Sequence, residues 1–149
     1  MTKEEKQLLL KDLCDRLPYF ENRVQYDGKD YVVTGYGHGR VSLLPGVFSS
    51  AVGPCPLIEE VKPYLRPMSS MTKEELKELN DKYGSIAYFF IQEPPYYHGL
   101  QAQHSDIGSI ELSEFSEIYD WLNAHHFDYR GLIEKGLALE APKDMYKMD

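Results

Sequence analysis

Apolar residues recur at helical spacing in three places along this chain, with short β-branched and aromatic runs between them. Leu9, Leu10, Leu13, Cys14 and Leu17 share one face of a first helix. Thr2 and Glu5 form its T-x-x-E capping box, and Pro18 ends it. Thr72 and Glu75 repeat the box ahead of Leu76, Leu79 and Tyr83, so a second helix runs to Tyr83 and stops at Gly84. Phe115, Ile118, Tyr119 and Leu122 make the apolar face of a third, over 114–126, with Ser113 as N-cap and Trp121 at the edge of that face.

Three antiparallel strands are expected over 22–44. Residues 23–26 lead into Asp27-Gly28, a strong hairpin turn. Residues 31–34 (YVVT) and 41–44 flank a second, glycine-rich turn at 35–39. Five of the nine prolines fall in 45–67, which reads as a wrapping loop with a short strand near 57–61. IAYFFI at 86–91 reads as a buried strand, and 107–112 as a short one that feeds the third helix. Beyond that helix, Asp128 reads as an N-cap for a short fourth helix over 129–135, which Gly136 stops. Residues 137–139 return to the core, Pro142 ends the run, and 143–149 form a loose tail.

The pattern therefore predicts an α+β fold. A small, mostly antiparallel sheet packs with three main helices plus a short C-terminal helix, all in a single domain over 1–149. A chain of 149 residues is long enough for one proper core. No run approaches a membrane span, and the N-terminus is not a signal peptide. Two distant cysteines, Cys14 and Cys55, form no framework, which suits a cytoplasmic protein.

Charge changes the picture. The formal net charge is −8. Residues 1–100 carry 14 acids and 12 bases, whereas 101–149 carry 10 acids and 4 bases. The C-terminal third thus repels a phosphate backbone and favours a basic partner, or else simply keeps a helix face solvated. The helix–turn–helix outline of 113–135 holds six acids, counting Glu111, against Arg130 and Lys135. Direct nucleic-acid binding is not expected of it.

Two segments, YLRPMSSMT at 64–72 and DWLNAHHFDYRGLIEKGLALEAP at 120–142, carry a resemblance. With LLLKDLCDRLPY near the N-terminus they cover about three-tenths of the chain. They resemble a family of small proteins of anaerobic gut bacteria, their prophages and their bacteriophages. Residues 20–56 and 84–111 match no pattern of that family. The resemblance implies a bacterial or phage cytoplasmic origin and no chemistry, because that family has no established activity.

Candidate chemistry is sparse. No GxSxG, HExxH or CxxC occurs, and Gly35, Gly37 and Gly39 lack the Gly-Lys-Ser/Thr of a phosphate loop. Glu114, Glu117 and Asp120 line a solvated helix face, where nothing tunes them for acid–base work. His98, His104 and Asp106 share one loop and are the candidates for a metal-dependent hydrolase or metal-binding protein. Adjacent His125 and His126 would point about 100° apart on a helix and could not easily share a metal. Arg66 reads as a surface residue.

The reading that follows is a non-enzymatic accessory protein with no cofactor, binding an unknown host or phage protein. Its interaction patch is His125, His126, Asp128, Tyr129 and Arg130, since aromatics and arginine are the usual interface anchors. For His126 and Tyr129 the competing role is packing. A third class is an acidic mimic of nucleic acid that occupies a basic partner.

Overall fold

The computed structural model describes residues 1–19, 21–46, 52–83 and 112–146, with the side chains of 112–115, Asn80 and Tyr83 left aside. The expected strands at 86–91 and most of 107–112 and the histidine loop with His98, His104 and Asp106 lie outside the described residues, whereas the helix expected over 114–126 runs from Leu112 to Ala124, so Ser113 lies within it and is not its N-cap. The chain divides into two compact units. One is Met1–Leu65 with Leu132–Asp149, and the other is Arg66–Gly131.

The first unit holds helix α1 (Lys3–Arg16) and strands β1 (Arg23–Tyr26), β2 (Lys29–Gly37), β3 (Arg40–Leu44), β4 (Lys62–Leu65) and β5 (Leu139–Glu140). Among the described residues the strands form one sheet in the order β3-β2-β1-β4-β5. It is antiparallel except for β5, which pairs parallel with β4. The α+β class and the mostly antiparallel sheet follow the sequence expectation.

Local chemistry explains the elements. The capping box closes α1: the Glu5 N–H donates to Thr2 Oγ1 at 3.1 Å, and the Thr2 N–H to Glu5 Oε2 at 2.7 Å. Both hairpins turn on residue pairs with positive φ, Asp27 (49°) with Gly28 (72°) and His38 (53°) with Gly39 (77°). That handedness suits the right-handed twist of paired strands. The second turn is tighter than expected: Gly35 and Gly37 belong to β2, and a bulge falls between Val33 and Gly35.

Leu9 and Leu13 of α1 pack with Val24, Val33, Val41 and Leu43 of the sheet, and Ile58 and Val61 close the cluster. The strand expected at 57–61 is instead a 3₁₀ turn, Ile58–Glu60, and β4 follows it. α1 also buries an ion pair. The Arg16 Nε and Nη2 donate to the two Asp12 carboxylate oxygens at 2.9 Å each, with both side chains at most 2% exposed. Asn22 Nδ2 donates to the Arg16 carbonyl and to the Tyr19 carbonyl, which ties off the end of α1.

Tyr146 ties two strands together. Arg23 and Tyr64 stand opposite each other in the register set by Val24–Pro63 and Gln25–Lys62. The Tyr146 hydroxyl stands between them, accepting from the Arg23 N–H at 3.1 Å and donating to the Tyr64 carbonyl at 3.0 Å. Burial pushes this phenol up to about 12, against the lowering effect of the Arg23 N–H and of the Arg16 and Arg23 charges.

The second unit contains a 3₁₀ turn, Met68–Ser70, and helices α2 (Lys73–Tyr83) and α3 (Leu112–Ala124). Met68, Leu79, Ile118, Trp121, Leu122 and Phe127 form its core with Tyr129. The capping box expected at α2 is formed, with Glu75 N–H donating to Thr72 Oγ1 at 3.1 Å and Thr72 N–H to Glu75 Oε2 at 2.9 Å.

The short C-terminal helix is a correction. Residues 129–136 are turns, not a helix. Gly131 has φ +72°, a left-handed conformation that interrupts any helix through it. What survives is the expected stop at Gly136. It has φ +72°, its N–H donates to the Ile133 carbonyl at 3.0 Å, and the Leu137 N–H donates to the Leu132 carbonyl at 2.9 Å. This is a Schellman closure, with Leu132 and Leu137 in the same small cluster as Leu65 and Ala138. Among the described residues no helix is long and apolar enough to cross a membrane.

Candidate functional site

The candidate residues follow the end of α3. His126 has φ +64°; its N–H donates to the Asn123 carbonyl at 3.1 Å, and the Phe127 N–H donates to the Leu122 carbonyl at 3.0 Å. This is the same Schellman closure, with histidine at the position that glycine usually takes. Leu122 and Phe127 meet in the core beneath it. The chain then pairs with the stretch before α2: the Arg66 N–H donates to the His126 carbonyl, and the Asp128 N–H to the Arg66 carbonyl, each at 2.8 Å.

That geometry sorts the five residues. His126, Asp128 and Tyr129 are buried, whereas His125 and Arg130 are half-buried and reach solvent. The His125 ring stacks on Trp121, with centroids 3.8 Å apart and planes 19° from parallel, and its Nδ1 lies 2.8 Å from the Trp121 carbonyl oxygen. Trp121 is held in turn by its indole N–H, which donates to Glu78 Oε1 at 3.1 Å. The Arg130 guanidinium lies 4.6 Å over the Tyr129 ring. Tyr129 packs on Tyr119 at 5.0 Å and donates its hydroxyl to Asn123 Oδ1 at 3.0 Å. Each partly exposed side chain therefore rests on an aromatic ring that is itself anchored in the core.

Arg66, expected at the surface, is the residue that holds this corner together. Its side chain is 14% exposed. The guanidinium lies 4.2 Å over Phe127 and grips Glu75 with two bonds, of 2.8 and 2.9 Å. It also donates to the Ser70 carbonyl at 3.2 Å. Burial raises the Glu75 carboxyl, but Arg66, the Thr72 N–H and the charge of His125 outweigh it and hold the group below the usual carboxylate range. No periodic spacing signals this pair, because the partners lie nine positions apart across a 3₁₀ turn and a helix start. The only sequence signal was that Arg66 sits inside the 64–72 segment that carries the resemblance.

Among the described residues no three His, Cys, Asp or Glu side chains converge as a metal would require. The Gln25, Asp30 and Tyr64 cluster on the sheet was not expected from the sequence. Tyr64 donates its hydroxyl to Asp30 Oδ1 at 2.8 Å and accepts from Gln25 Nε2 at 3.1 Å. Compared with protein families, curated proteins and solved structures, the chain matches none.

Proposed function

We propose that the chain is a non-enzymatic accessory protein of phage or prophage origin that binds another protein through the corner presenting His125 and Arg130. The observation that carries this reading is that both side chains are partly exposed and already stacked on core-anchored rings. A side chain held in place before binding loses less rotamer freedom on docking, and preorganised aromatic and arginine groups dominate interface energetics. His126, Asp128 and Tyr129 serve this corner from beneath, by shaping the turn and carrying Arg130.

The test is affinity capture from lysate of the source bacterium, infected and uninfected, with tagged wild type beside an H125A/R130A variant. Circular dichroism checks that the variant is folded. One protein enriched saturably by wild type and lost with the variant is the expected result. Equal capture by both, or nothing saturable, would overturn the reading.

A further inference from the structure

The outer edge of β3 is covered by a segment that cannot complete its hydrogen bonds. Residues 54–58 run antiparallel alongside β3. The Val41 N–H donates to the Pro56 carbonyl at 2.9 Å and the Leu43 N–H to the Pro54 carbonyl at 3.1 Å. Arg40 bridges Leu57, and the Ile58 N–H donates to the Gly39 carbonyl at 3.1 Å, in the same register. In such a ladder the residue opposite Val41 or Leu43 both accepts and donates. Here both opposing residues are proline, which has no N–H. The carbonyls of Val41 and Leu43 point to this edge, as their N–H groups do, and receive no donor from the covering segment. Val41 is fully buried and Leu43 is 2% exposed, so solvent hardly reaches these carbonyls. Gly53 instead brings its Cα against the Leu43 carbonyl, so closely that a Cβ would sit 1.8 Å from the oxygen.

A proline strap of this kind shields an edge strand without satisfying it. We infer that the β3 edge is a strand-addition site, closed by the 54–57 strap and opened by an extended partner peptide that takes the strap's register. The occupant is defined by what the strap lacks. It supplies two backbone N–H groups to the Val41 and Leu43 carbonyls. It places apolar, non-proline side chains where Pro54 and Pro56 now lie, beside Val41 and Leu43 of the core. It carries small or polar residues between them, where Cys55 is exposed and lies 3.9 Å (Sγ) from Ser42 Oγ. Outside the ladder, the strap's described bonds are this sulfur contact, one from Arg40 Nη1 to the Cys55 carbonyl at 2.9 Å and, at its far end, those of Leu57, whose N–H donates to Glu60 Oε2 at 2.8 Å and whose carbonyl accepts from the Glu60 N–H at 3.0 Å.

The test uses the full chain and two fluorescently labelled octapeptides that copy residues 52–59, each with serine for the cysteine. One keeps both prolines and the other has valine at both positions. Wild type is expected to bind the valine peptide at least about tenfold more tightly, as two added backbone hydrogen bonds require. The two valine amides of the bound peptide are expected to become protected from hydrogen exchange. The P54V/P56V chain, whose own strap now donates, is expected to bind the same peptide about tenfold more weakly. Equal affinity for the two peptides, no binding, or unprotected valine amides would each overturn the assignment without any variant. So would unchanged peptide affinity in a folded P54V/P56V chain. A wild-type dimer that the valine peptide dissolves would give the edge to a second copy of the chain and overturn the assignment to a partner.

Discussion

His126 occupies a backbone position that most residues avoid. A left-handed conformation costs a residue with a Cβ roughly 1–2 kcal/mol, and glycine almost nothing. The chain accepts that cost because the turn must close α3 and deliver Phe127 to the core in one step. The expected outcome is that H126G is more stable than H126A by about 1 kcal/mol, since both lose the ring and differ mainly in the strain at φ +64°. Urea unfolding of the two variants measures it. Equal stability would mean that the turn relaxes. His125 was legible as the more exposed of the pair, because it falls farther from the apolar face of α3. Its place on the Trp121 ring was not, because that contact depends on where the helix ends.

Turns and straps, more than helices and strands, give this chain its particular structure. The Tyr146 hydroxyl joins β1 to β4 where the two strands stand opposite each other without closing the ladder. Y146F leaves the Arg23 N–H and the Tyr64 carbonyl without that partner, and should cost about 1–3 kcal/mol in urea unfolding. The same phenol makes the fold sensitive to alkali. It ionises near ~10 in an unfolded chain and at about 12 here. Its contribution is therefore complete below pH ~10 and disappears as the pH rises through the folded value. Wild type should lose more stability than Y146F over that window, and parallel losses would remove Tyr146 as the cause. The helix expected over 129–135 shows the opposite lesson. Its polar start and glycine stop were legible, but Gly131 in the middle of the run breaks it. The structure uses it at φ +72° to end one turn and begin another.

Each of the two units holds a shielded ion pair, Asp12–Arg16 buried in the first and Arg66–Glu75 half-buried in the second. Arg66 and Glu75 bind the stretch before α2 to the turn after α3, so the second unit depends on one carboxylate staying ionised. Glu75 has a folded pKa below its unfolded value. Its contribution is present above the ordinary carboxylate value of ~4.3 and is lost as the pH falls through the folded value. Acid should therefore destabilise wild type more steeply than E75Q between pH ~5 and pH ~2, read from urea midpoints. Matching acid profiles would show that the pair contributes nothing through ionisation. The net charge of −8 is a separate property of the whole chain, to which the exposed Glu117 and Asp120 on α3 contribute.

The amino-acid sequence by itself determined the parts whose partners lie within four or five positions. Both capping boxes, the Asp27-Gly28 turn, the burial of Leu9 and Leu13 on α1 and the stop at Gly136 follow from contacts that a periodic backbone brings together, although α1 buries Asp12 and Arg16 where Leu10, Cys14 and Leu17 stay half-buried. Tertiary structure alone decided the rest. Arg23 meets Tyr146 across 123 positions, and the Tyr146 hydroxyl meets the Tyr64 carbonyl across 82. β5 joins β4 in parallel, Arg66 pairs with the turn at Phe127, and two prolines come to lie against the β3 edge. Spacing along a chain encodes a contact only where one helix or hairpin repeats it. Beyond that range, the partner is chosen by which surfaces must be buried together, and only the folded chain records that choice.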